Sequence, residues 1–270
     1  MKNLFLFLFL LVVFTSKAQD NRVSGLNSRQ FTKYWKVESE SPDYKVTFQG
    51  DTAEIVSPKG LTLWRKEKMS GKVTIEYDAC VVVESDGDRL SDLNCFWMAS
   101  DPQYPDNLWK REKWRSGIFL NCYSLQLYYL GYGGNHNSTT RFRRYDGDES
   151  GITNPKARPA ILKEYTDAGH LLKPNHWYHI KITNENNRVS YYIDGERLVD
   201  FRDAEPLREG WFGFRTTLSR TRITNFSYEC SSQEATAVPL QWIGETTRQD
   251  KVVSFGVPFD KGEVFPENKL

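Results

Sequence analysis

Residues 188–201 read Arg-Val-Ser-Tyr-Tyr-Ile-Asp-Gly-Glu-Arg-Leu-Val-Asp-Phe, and this stretch decides the fold class of the chain. From Val189 to Ile193 apolar and polar residues alternate, which is typical of a strand with one buried face. Asp194-Gly195 then separates this run from Arg197–Val199. Because both turn residues tolerate positive φ angles, the pair predicts a tight β-hairpin.

Similar strand signals recur along the whole chain and are separated by polar turns. An aromatic content of 14% with only three methionines favours β-structure over a helical bundle. Single helical turns are predicted near 91–93 or 159–164, and no longer helix. Many short strands with long loops predict an all-β protein built as a two-sheet antiparallel sandwich. The predicted strands are 44–49, 53–57, 61–65, 73–84, 94–99, 117–121, 124–130, 140–145, 176–184, 188–193, 196–201, 210–216 and 222–230.

The N-terminus predicts an exported protein. Lys2 is followed by an apolar run from Leu4 to Phe14 and by small residues before Ala18, the pattern of a signal peptide over residues 1–18 that is too short for a membrane span. We therefore expect a secreted or periplasmic protein with one domain over 19–232. Residues 233–270 are expected to be a linker and a partial or docked segment. The four cysteines have no metal-finger spacing, and both buried thiols and disulfides fit them.

Four segments carry a resemblance to a known fold family. Leu171–Ile182, the hairpin Tyr191–Arg197, Gly210–Arg215 and Ile223–Phe226 resemble, in this order, the later strands of concanavalin A-like jelly-roll domains. The resemblance implies a jelly-roll sandwich but no single activity, since lectins, glycosidases and lyases all use this fold.

The C-terminal segment carries a second resemblance. Pro239–Trp242 and Phe255–Gly262 look like the opening strands of rhamnogalacturonan exolyase-like proteins. This resemblance implies an association with polysaccharide lyases. It also implies an acidic glycan partner, such as ulvan, rhamnogalacturonan or glucuronan.

A basic and aromatic region provides the functional signal. Tyr128–Tyr145 reads YYLGYGGNHNSTTRFRRY, and Trp109–Arg115 is a second run of tryptophans and cations. Residues 109–145 hold seven Lys or Arg against one acid, whereas the whole chain has a formal charge of only +1. This local excess predicts an anion site, while the near-neutral total argues against nucleic acid as a partner.

These residue types suit β-elimination at a uronate. The reaction needs cations or amides that neutralise the carboxylate, a base for the C5 proton and an acid for the leaving oxygen. Arg141 and Arg143 share parity on one predicted strand and should face the same side, whereas Arg144 should face the other. The set resembles that of jelly-roll alginate and glucuronan lyases. The predicted catalytic residues are His136, Tyr132, Tyr145 and Arg141, and the predicted substrate-binding residues are Arg143, Asn135, Asn137, Trp109, Trp114 and His170.

Other interpretations remain open. The protein could be a non-catalytic carbohydrate-binding module, or the leaving group could be either a sugar or water. A glycoside hydrolase would need two carboxylates about 5 Å apart, and only Glu76/Asp78 or 84–88 offer them. The arginines could also pair with nearby acids. No cofactor or catalytic metal is predicted, although Asp86/Asp88 or Asp146/Asp148 would suit a structural Ca²⁺.

Overall fold

The computed structural model describes residues 23–24 and 26–231, and their dominant feature is a set of fourteen antiparallel strands. The predicted signal peptide and the predicted segment 233–270 lie outside these residues. The strands are β1 Val23–Ser24, β2 Trp35–Ser39, β3 Lys45–Gln49, β4 Thr52–Arg65, β5 Met69–Ser70, β6 Lys72–Val81, β7 Leu93–Ser100, β8 Gln126–Gly133, β9 Thr139–Asp146, β10 Lys163–Tyr165, β11 Tyr178–Glu185, β12 Arg188–Ile193, β13 Glu196–Arg202 and β14 Glu209–Ser231.

Two long strands, β4 and β14, belong to both sheets of the sandwich. The first sheet has the order β10-β9-β8-β7-β14-β4-β2, and the second has the order β3-β4-β14-β6-β11-β12-β13. The pairing of β14 with β4 shifts register between Thr217 and Ser219, where Leu218 has a φ of 50°. A shift of this kind bends a strand, so the two halves of β14 serve different sheets.

The main core lies between the inner faces of the two sheets. Trp97, Tyr128 and Phe142 project from the first sheet and Tyr77 and Tyr191 from the second, each at most 2% exposed. The ring centroids of Trp97 and Tyr191 are 6.1 Å apart, so aromatic rings bridge the two layers. Trp97 is therefore a core residue.

A second apolar cluster covers part of the outer face of the first sheet. Segment 101–125 crosses this face and packs over Phe96, Leu127 and Tyr145. Asp101 accepts two bonds from Arg111, at 2.7 and 2.9 Å, and so ties the start of the segment to its middle.

The predicted hairpin is confirmed, because Ile193 pairs with Glu196 across Asp194 and Gly195, which have φ values of 50° and 84°. The strand predicted over 117–121 is wrong, since this stretch contains a turn and the start of a 3-10 helix, Leu120–Ser124. The predicted helical turns near 91–93 and 159–164 are also wrong, since Leu93 and Lys163 begin strands.

Short helical turns lie elsewhere, in the loops. Two of them are capped by asparagines, because Asn107 accepts a hydrogen bond from the Trp109 N–H and Asn154 accepts one from the Lys156 N–H. The helical turns are Phe31–Tyr34, Leu108–Arg111, Glu112–Arg115, Leu120–Ser124, Gly134–Asn137, Ser150–Thr153, Pro155–Ala157 and Ala168–His170.

All four cysteines are free thiols, and three of them are buried. Burial raises the pKa of Cys95 and of Cys122 to about 12, so both remain protonated. Within the described residues, no helix has the length and apolar character needed to cross a membrane.

Candidate functional site

An open cavity of about 460 Å³ lies on the outer face of the first sheet. Its floor includes one row of residues across four strands, because Arg215 on β14 pairs with Asn94 on β7, Asn94 with Gly131 on β8, and Gly131 with Arg141 on β9. Residues directly opposite in neighbouring strands share a face. This row therefore places two arginines, an amide and a glycine on the same surface.

The cavity is strongly cationic. Its lining holds five arginines against two carboxylates, those of Asp92 and Glu40, with His136 and Asn135 at the rim. We call it the arginine cavity; its arginines are Arg89, Arg141, Arg143, Arg158 and Arg215.

The prediction from strand parity is confirmed. Arg141 and Arg143 both line the arginine cavity, whereas Arg144 lies on the opposite side of β9 and pairs with Asp203 at 2.7 Å. The cause is the two-residue repeat of a strand, which sends alternate side chains to opposite faces.

Three of the five arginines are held by carbonyl oxygens. Arg143 donates to the carbonyl of Pro159, Arg215 to that of Gly117 at 2.5 Å, and Arg158 to that of Gly151 at 3.4 Å. None of the three has a carboxylate within 4.0 Å among the described residues. A carbonyl positions a guanidinium without neutralising it, so Arg143 and Arg158 remain available to an anion. Arg215 lies beside Gly60 together with the Glu40 carboxylate and also acts electrostatically on Glu38, so part of its charge is offset.

The other two arginines have acidic partners. Arg141 pairs with Glu164 at 2.5 Å and Arg89 with Asp92 at 2.9 Å. Their charge is thus partly offset inside the protein.

Tyr129 lies at the centre of the floor. Its ring is 8% exposed, and its hydroxyl occupies the space that a Cβ at position 131 would fill, so Gly131 leaves room for it. The hydroxyl has no hydrogen-bond partner in the part of the chain that the structure describes. Burial, together with the charge of Asp92, raises the pKa of Tyr129, and Arg215 and Arg143 act against that rise. Tyr129 is therefore a protonated hydroxyl, able to donate a hydrogen bond.

Asn94 adds an unpartnered acceptor to the same floor. Its side-chain nitrogen donates to Asp92 at 3.2 Å, but its Oδ1 is buried without a partner among the described residues. The residue is only 6% exposed. An acceptor left unpaired at a buried position costs about 1–3 kcal/mol unless a ligand or water satisfies it.

The rim residues belong to a turn with left-handed backbone. Asn135, His136 and Asn137 have φ values of 51°, 58° and 58°. Asn and His tolerate this region better than most residues, but each costs about 1 kcal/mol or more. Backbone strain of this kind is concentrated at functional sites. Here the left-handed turn places the exposed His136 side chain beside the arginines.

Asn137 stabilises this turn. Its amide donates to the Leu172 carbonyl at 2.9 Å and accepts from the Leu172 N–H at 2.8 Å. Asn135 donates to the Thr139 hydroxyl at 3.2 Å. The side chain of Asn137 is thus occupied by the protein backbone, and Asn137 does not line the arginine cavity.

The two predicted tyrosine acids do not lie in the arginine cavity. Tyr145 is 0% exposed and packs beneath the floor against Tyr129 and Tyr123, with ring centroids 5.8 and 5.2 Å away. Tyr132 faces the main core, where its hydroxyl donates to the Leu171 carbonyl at 3.3 Å. Tyr145 shares the parity of Arg143, but packing of segment 101–125 covers it.

His170 is also separate from the arginine cavity. With Tyr132 it lines a second cavity of about 140 Å³. Its ring stacks on Tyr165 at 4.1 Å and bonds Asp167 at 2.8 Å and Glu196 at 3.3 Å. The end of the long loop therefore docks on β13 and does not reach the arginine cavity.

The two predicted tryptophan platforms lie elsewhere on segment 101–125. Trp109 is half-buried and packs edge-on against Trp211 at 6.1 Å. Trp114 is 44% exposed, with the Arg111 guanidinium 5.0 Å from its ring centroid. Neither lines the arginine cavity, whose aromatic wall is formed by Phe119, Tyr123 and Tyr129.

Several residues that line the arginine cavity were not predicted from the sequence. Tyr129 shares the parity of Gly131 and pairs with Arg143 across β8 and β9, so the strand pairing could have found it. Asn94, Arg158 and Arg215 come from distant parts of the chain, and no local signal marks them.

No group of three or more His, Cys, Asp or Glu side chains in 23–24 and 26–231 could hold a metal ion. The Asp88 carboxylate accepts the backbone N–H groups of Glu84 and Ser85, at 2.8 and 2.9 Å, and Asp148 accepts that of Ser150 at 2.9 Å. The calcium expectation at these positions stays a prediction.

His170 makes the stability of the protein depend on pH. Burial lowers its pKa, but hydrogen bonds and charge from Asp167 and Glu196 outweigh this and raise it above its ordinary value of 6.5. The stabilisation is complete below pH 6.5 and is lost as the pH rises through the higher folded value. We expect the melting temperatures of wild type and His170→Gln to differ most near about pH 5.5 and to converge by about pH 8.5. A difference that grows with pH in thermal denaturation would contradict this assignment.

Gly131→Ala is expected to lower the free energy of unfolding by about 1–3 kcal/mol, because the new methyl group collides with the Tyr129 hydroxyl. Gly134→Ala is the matched control, since a Cβ there meets no atom closer than 3.7 Å. Urea denaturation of both variants measures the difference. Equal stability of the two would show that Tyr129 has free space to move.

The fold and the site together define a class. The molecule is a jelly-roll sandwich of the galectin-like and concanavalin A-like kind, with a cationic and aromatic cavity on an outer face. The chain belongs to the family described as a domain of unknown function, DUF6250, whose model matches residues 55–226. None of the curated proteins matches the chain in sequence.

Solved structures confirm the predicted fold. A Bacillus subtilis protein of unknown function with a galectin-like fold is 15% identical and has a TM-score of 0.61, with coverage of 77% of this chain and 94% of that one. The exoplasmic/lumenal domain of VIP36 in its Ca²⁺- and mannose-bound form is 8% identical and has a TM-score of 0.53, with coverage of 84% and 99%. At these identities the likeness concerns the fold alone.

Proposed function

We propose that this protein binds an acidic, uronate-containing glycan in the arginine cavity. The observation that carries the proposal is the set of three arginines held by carbonyl oxygens beside an aromatic wall. Carboxylates bind guanidinium groups through charge-assisted hydrogen bonds, and sugar rings stack on aromatic side chains. In addition, the VIP36 domain shares this fold and was crystallised with mannose.

Export fits this function. The N-terminal sequence has the pattern of a signal peptide, and extracellular or periplasmic space is where acidic polysaccharides would be met. The association with rhamnogalacturonan exolyase-like proteins belongs to the same proposal.

Binding can be tested directly. Purified protein is titrated calorimetrically with oligosaccharides of ulvan, rhamnogalacturonan and glucuronan, and with the same fragments after reduction of their carboxyl groups to alcohols. We expect binding to at least one acidic fragment, weakening with salt, and loss of that binding on carboxyl reduction. Equal binding of the reduced fragments would overturn the proposal.

A second candidate function, β-elimination, is favoured by the protonated Tyr129 hydroxyl and by His136 at the rim of the same cavity. Arg143 and Arg158 would neutralise the uronate carboxylate and so acidify the C5 proton. His136 would take that proton. The electron pair of the broken C5–H bond would then form the C4–C5 double bond as the C4–O bond breaks. Tyr129 would then give its proton to the leaving oxygen, either of a sugar or of water.

The assay for elimination is absorbance in the unsaturated-uronate band. We expect Tyr129→Phe and His136→Ala each to lower the rate about 100-fold or more, since acid–base groups contribute effects of this size. Activity that survives both substitutions would exclude these roles. Binding without any absorbance change would leave the protein a carbohydrate-binding module.

The glycoside hydrolase alternative gains no support from the geometry. Glu76 pairs with Lys181 at 3.2 Å, and Asp78 bonds His179 at 2.7 Å. Both acids lie on the second sheet, outside the arginine cavity.

A further inference from the structure

The cavity arginines that have no carboxylate within 4.0 Å among the described residues stand at two ends of the cavity floor. Arg215 is on β14, whereas Arg143 is on β9, and β7 and β8 lie between them. Three strand spacings separate β14 from β9, which is about 14 Å between the two backbones. Arg158 joins the β9 end, because Arg143 donates to the carbonyl of Pro159, the next residue along the chain.

Each end is fixed by its own wall. The carbonyl that holds Arg215 belongs to Gly117, whose Cα region packs against Ser39 and Gly60 beside β4. The carbonyl that holds Arg143 belongs to Pro159, in the segment that returns to β9 through β10. The two guanidinium groups are therefore positioned independently of each other.

The β14 end is the more deeply buried. Arg215 is 3% exposed, donates to the Thr62 hydroxyl at 3.3 Å and lies 5.6 Å from the Phe119 ring centroid. Arg143 is half-buried and Arg158 is exposed. An anion at the β14 end would thus be desolvated more than one at the β9 end.

Between the two ends the floor presents the buried, unpartnered Oδ1 of Asn94 and the hydroxyl of Tyr129. The nearby Asp92 carboxylate is paired with Arg89 at 2.9 Å. An acceptor and a donor beside an aromatic ring match the hydroxyl groups of a sugar better than they match a further charge. The Tyr129 hydroxyl fills the space above Gly131, so a ligand lying across the floor would meet that hydroxyl.

We propose that the arginine cavity recognises two acidic groups on a single glycan. One acidic group binds at Arg143 and Arg158, the second binds at Arg215, and the hydroxyl-bearing carbons between them lie across Asn94 and Tyr129. The ligand class is then an oligosaccharide in which a uronate is joined to a second acidic sugar, carrying either a carboxylate or a sulfate ester. This inference rests on the proposed binding of a uronate glycan.

The test uses diglucuronate and its two mono-methyl esters, each with one carboxylate neutralised. For the wild-type protein, each ester is expected to bind about tenfold more weakly or worse than diglucuronate, because each removes one charge-assisted contact. In Arg143→Gln one ester should lose part of its deficit relative to diglucuronate, because Arg158 still faces the same acidic group, while the other ester should keep its full deficit. Arg158→Gln should show the same pattern, and Arg202→Gln, on the exposed edge strand β13, should behave as wild type.

A uronate–rhamnose disaccharide with and without a sulfate ester on the rhamnose identifies the second acidic group. The inference is supported if the sulfated disaccharide or diglucuronate binds more tightly than the unsulfated disaccharide, which carries a single charge. Binding in which only one acidic group matters, or loss of both ester effects together in Arg143→Gln, would overturn it while leaving uronate binding intact. If no acidic fragment binds at all, the proposed function itself fails. Thermal denaturation of each variant verifies that it is folded.

Discussion

Asp101→Asn is expected to lower the free energy of unfolding by about 1.5–3 kcal/mol, because it removes the buried charge that accepts two charge-assisted hydrogen bonds, although Arg111 keeps Glu149 and Arg115 keeps Glu38 as partners. Asp101 is 0% exposed and receives both Nε and Nη2 of Arg111. Arg115, also 0% exposed, lies 3.7 Å from the same carboxylate and 3.0 Å from Glu38. Asparagine keeps the shape of the side chain but removes the charge that both arginines face.

Urea denaturation followed by tryptophan fluorescence measures this loss. The matched control is Asp106→Asn, an aspartate on the same segment whose side chain is 93% exposed and which pairs with Lys68 at 3.3 Å. Because surface ion pairs contribute about 0–1 kcal/mol, the control should stay close to wild type. If Asp101→Asn is as stable as Asp106→Asn, the buried network does not hold segment 101–125 in place.

The double variant Arg143→Gln/Arg158→Gln is expected to bind acidic oligosaccharides about 100-fold more weakly than wild type or worse. Each arginine would donate charge-assisted hydrogen bonds worth about 1.5–3 kcal/mol, and 1.4 kcal/mol corresponds to a factor of ten in affinity. Neither arginine has a carboxylate partner in the described part of the chain. Their removal should therefore affect binding far more than stability.

Calorimetric titration measures the affinity of this double variant. The control is Arg197→Gln/Arg202→Gln, which removes two exposed arginines from β13 on the second sheet. This control loses the same formal charge. A difference between the two double variants therefore reports direct contacts in the cavity and not the electrostatic field of the whole protein. The affinity of wild type should also fall more steeply with salt than that of the double variant. Equal affinities of the two double variants would show that the glycan binds outside the arginine cavity.

Local signals in the sequence predicted the fold well. Asp194-Gly195 identified a hairpin because turn chemistry depends on neighbouring residues only. The alternation Arg141, Phe142, Arg143 identified which arginines share a face, since the two-residue repeat of a strand needs no tertiary information. His136 and Asn135 were predicted beside those arginines because they shortly precede β9 in the sequence.

Long-range packing could not be predicted in the same way. Tyr145 lies on the same face of β9 as Arg141 and Arg143, yet segment 101–125 packs over it. Nothing in the sequence of residues 139–146 predicts that this segment buries Tyr145. Arg215 and Asn94 join the floor only through the pairing of β14 with β7, across more than a hundred residues of chain. Residues 117–121 have the composition of a strand, but at this place the chain must cross the sheet face rather than extend it.

The position of β14 at the centre of both sheets has a consequence for the order in which the molecule can be assembled. A chain made from its N-terminus can form the β2–β4 and β7–β8–β9 pairings early, and the β6–β11–β12–β13 pairings later. Without β14, however, β7 and β4 are not joined, and neither are β4 and β6. Closure of the two-sheet sandwich therefore waits until residues 209–231 have left the ribosome, and until then β4, β6 and β7 each have an open edge that is exposed to aggregation. Arg215 joins the arginine cavity in this same final step, so the proposed binding of a glycan would become possible only when both sheets are complete.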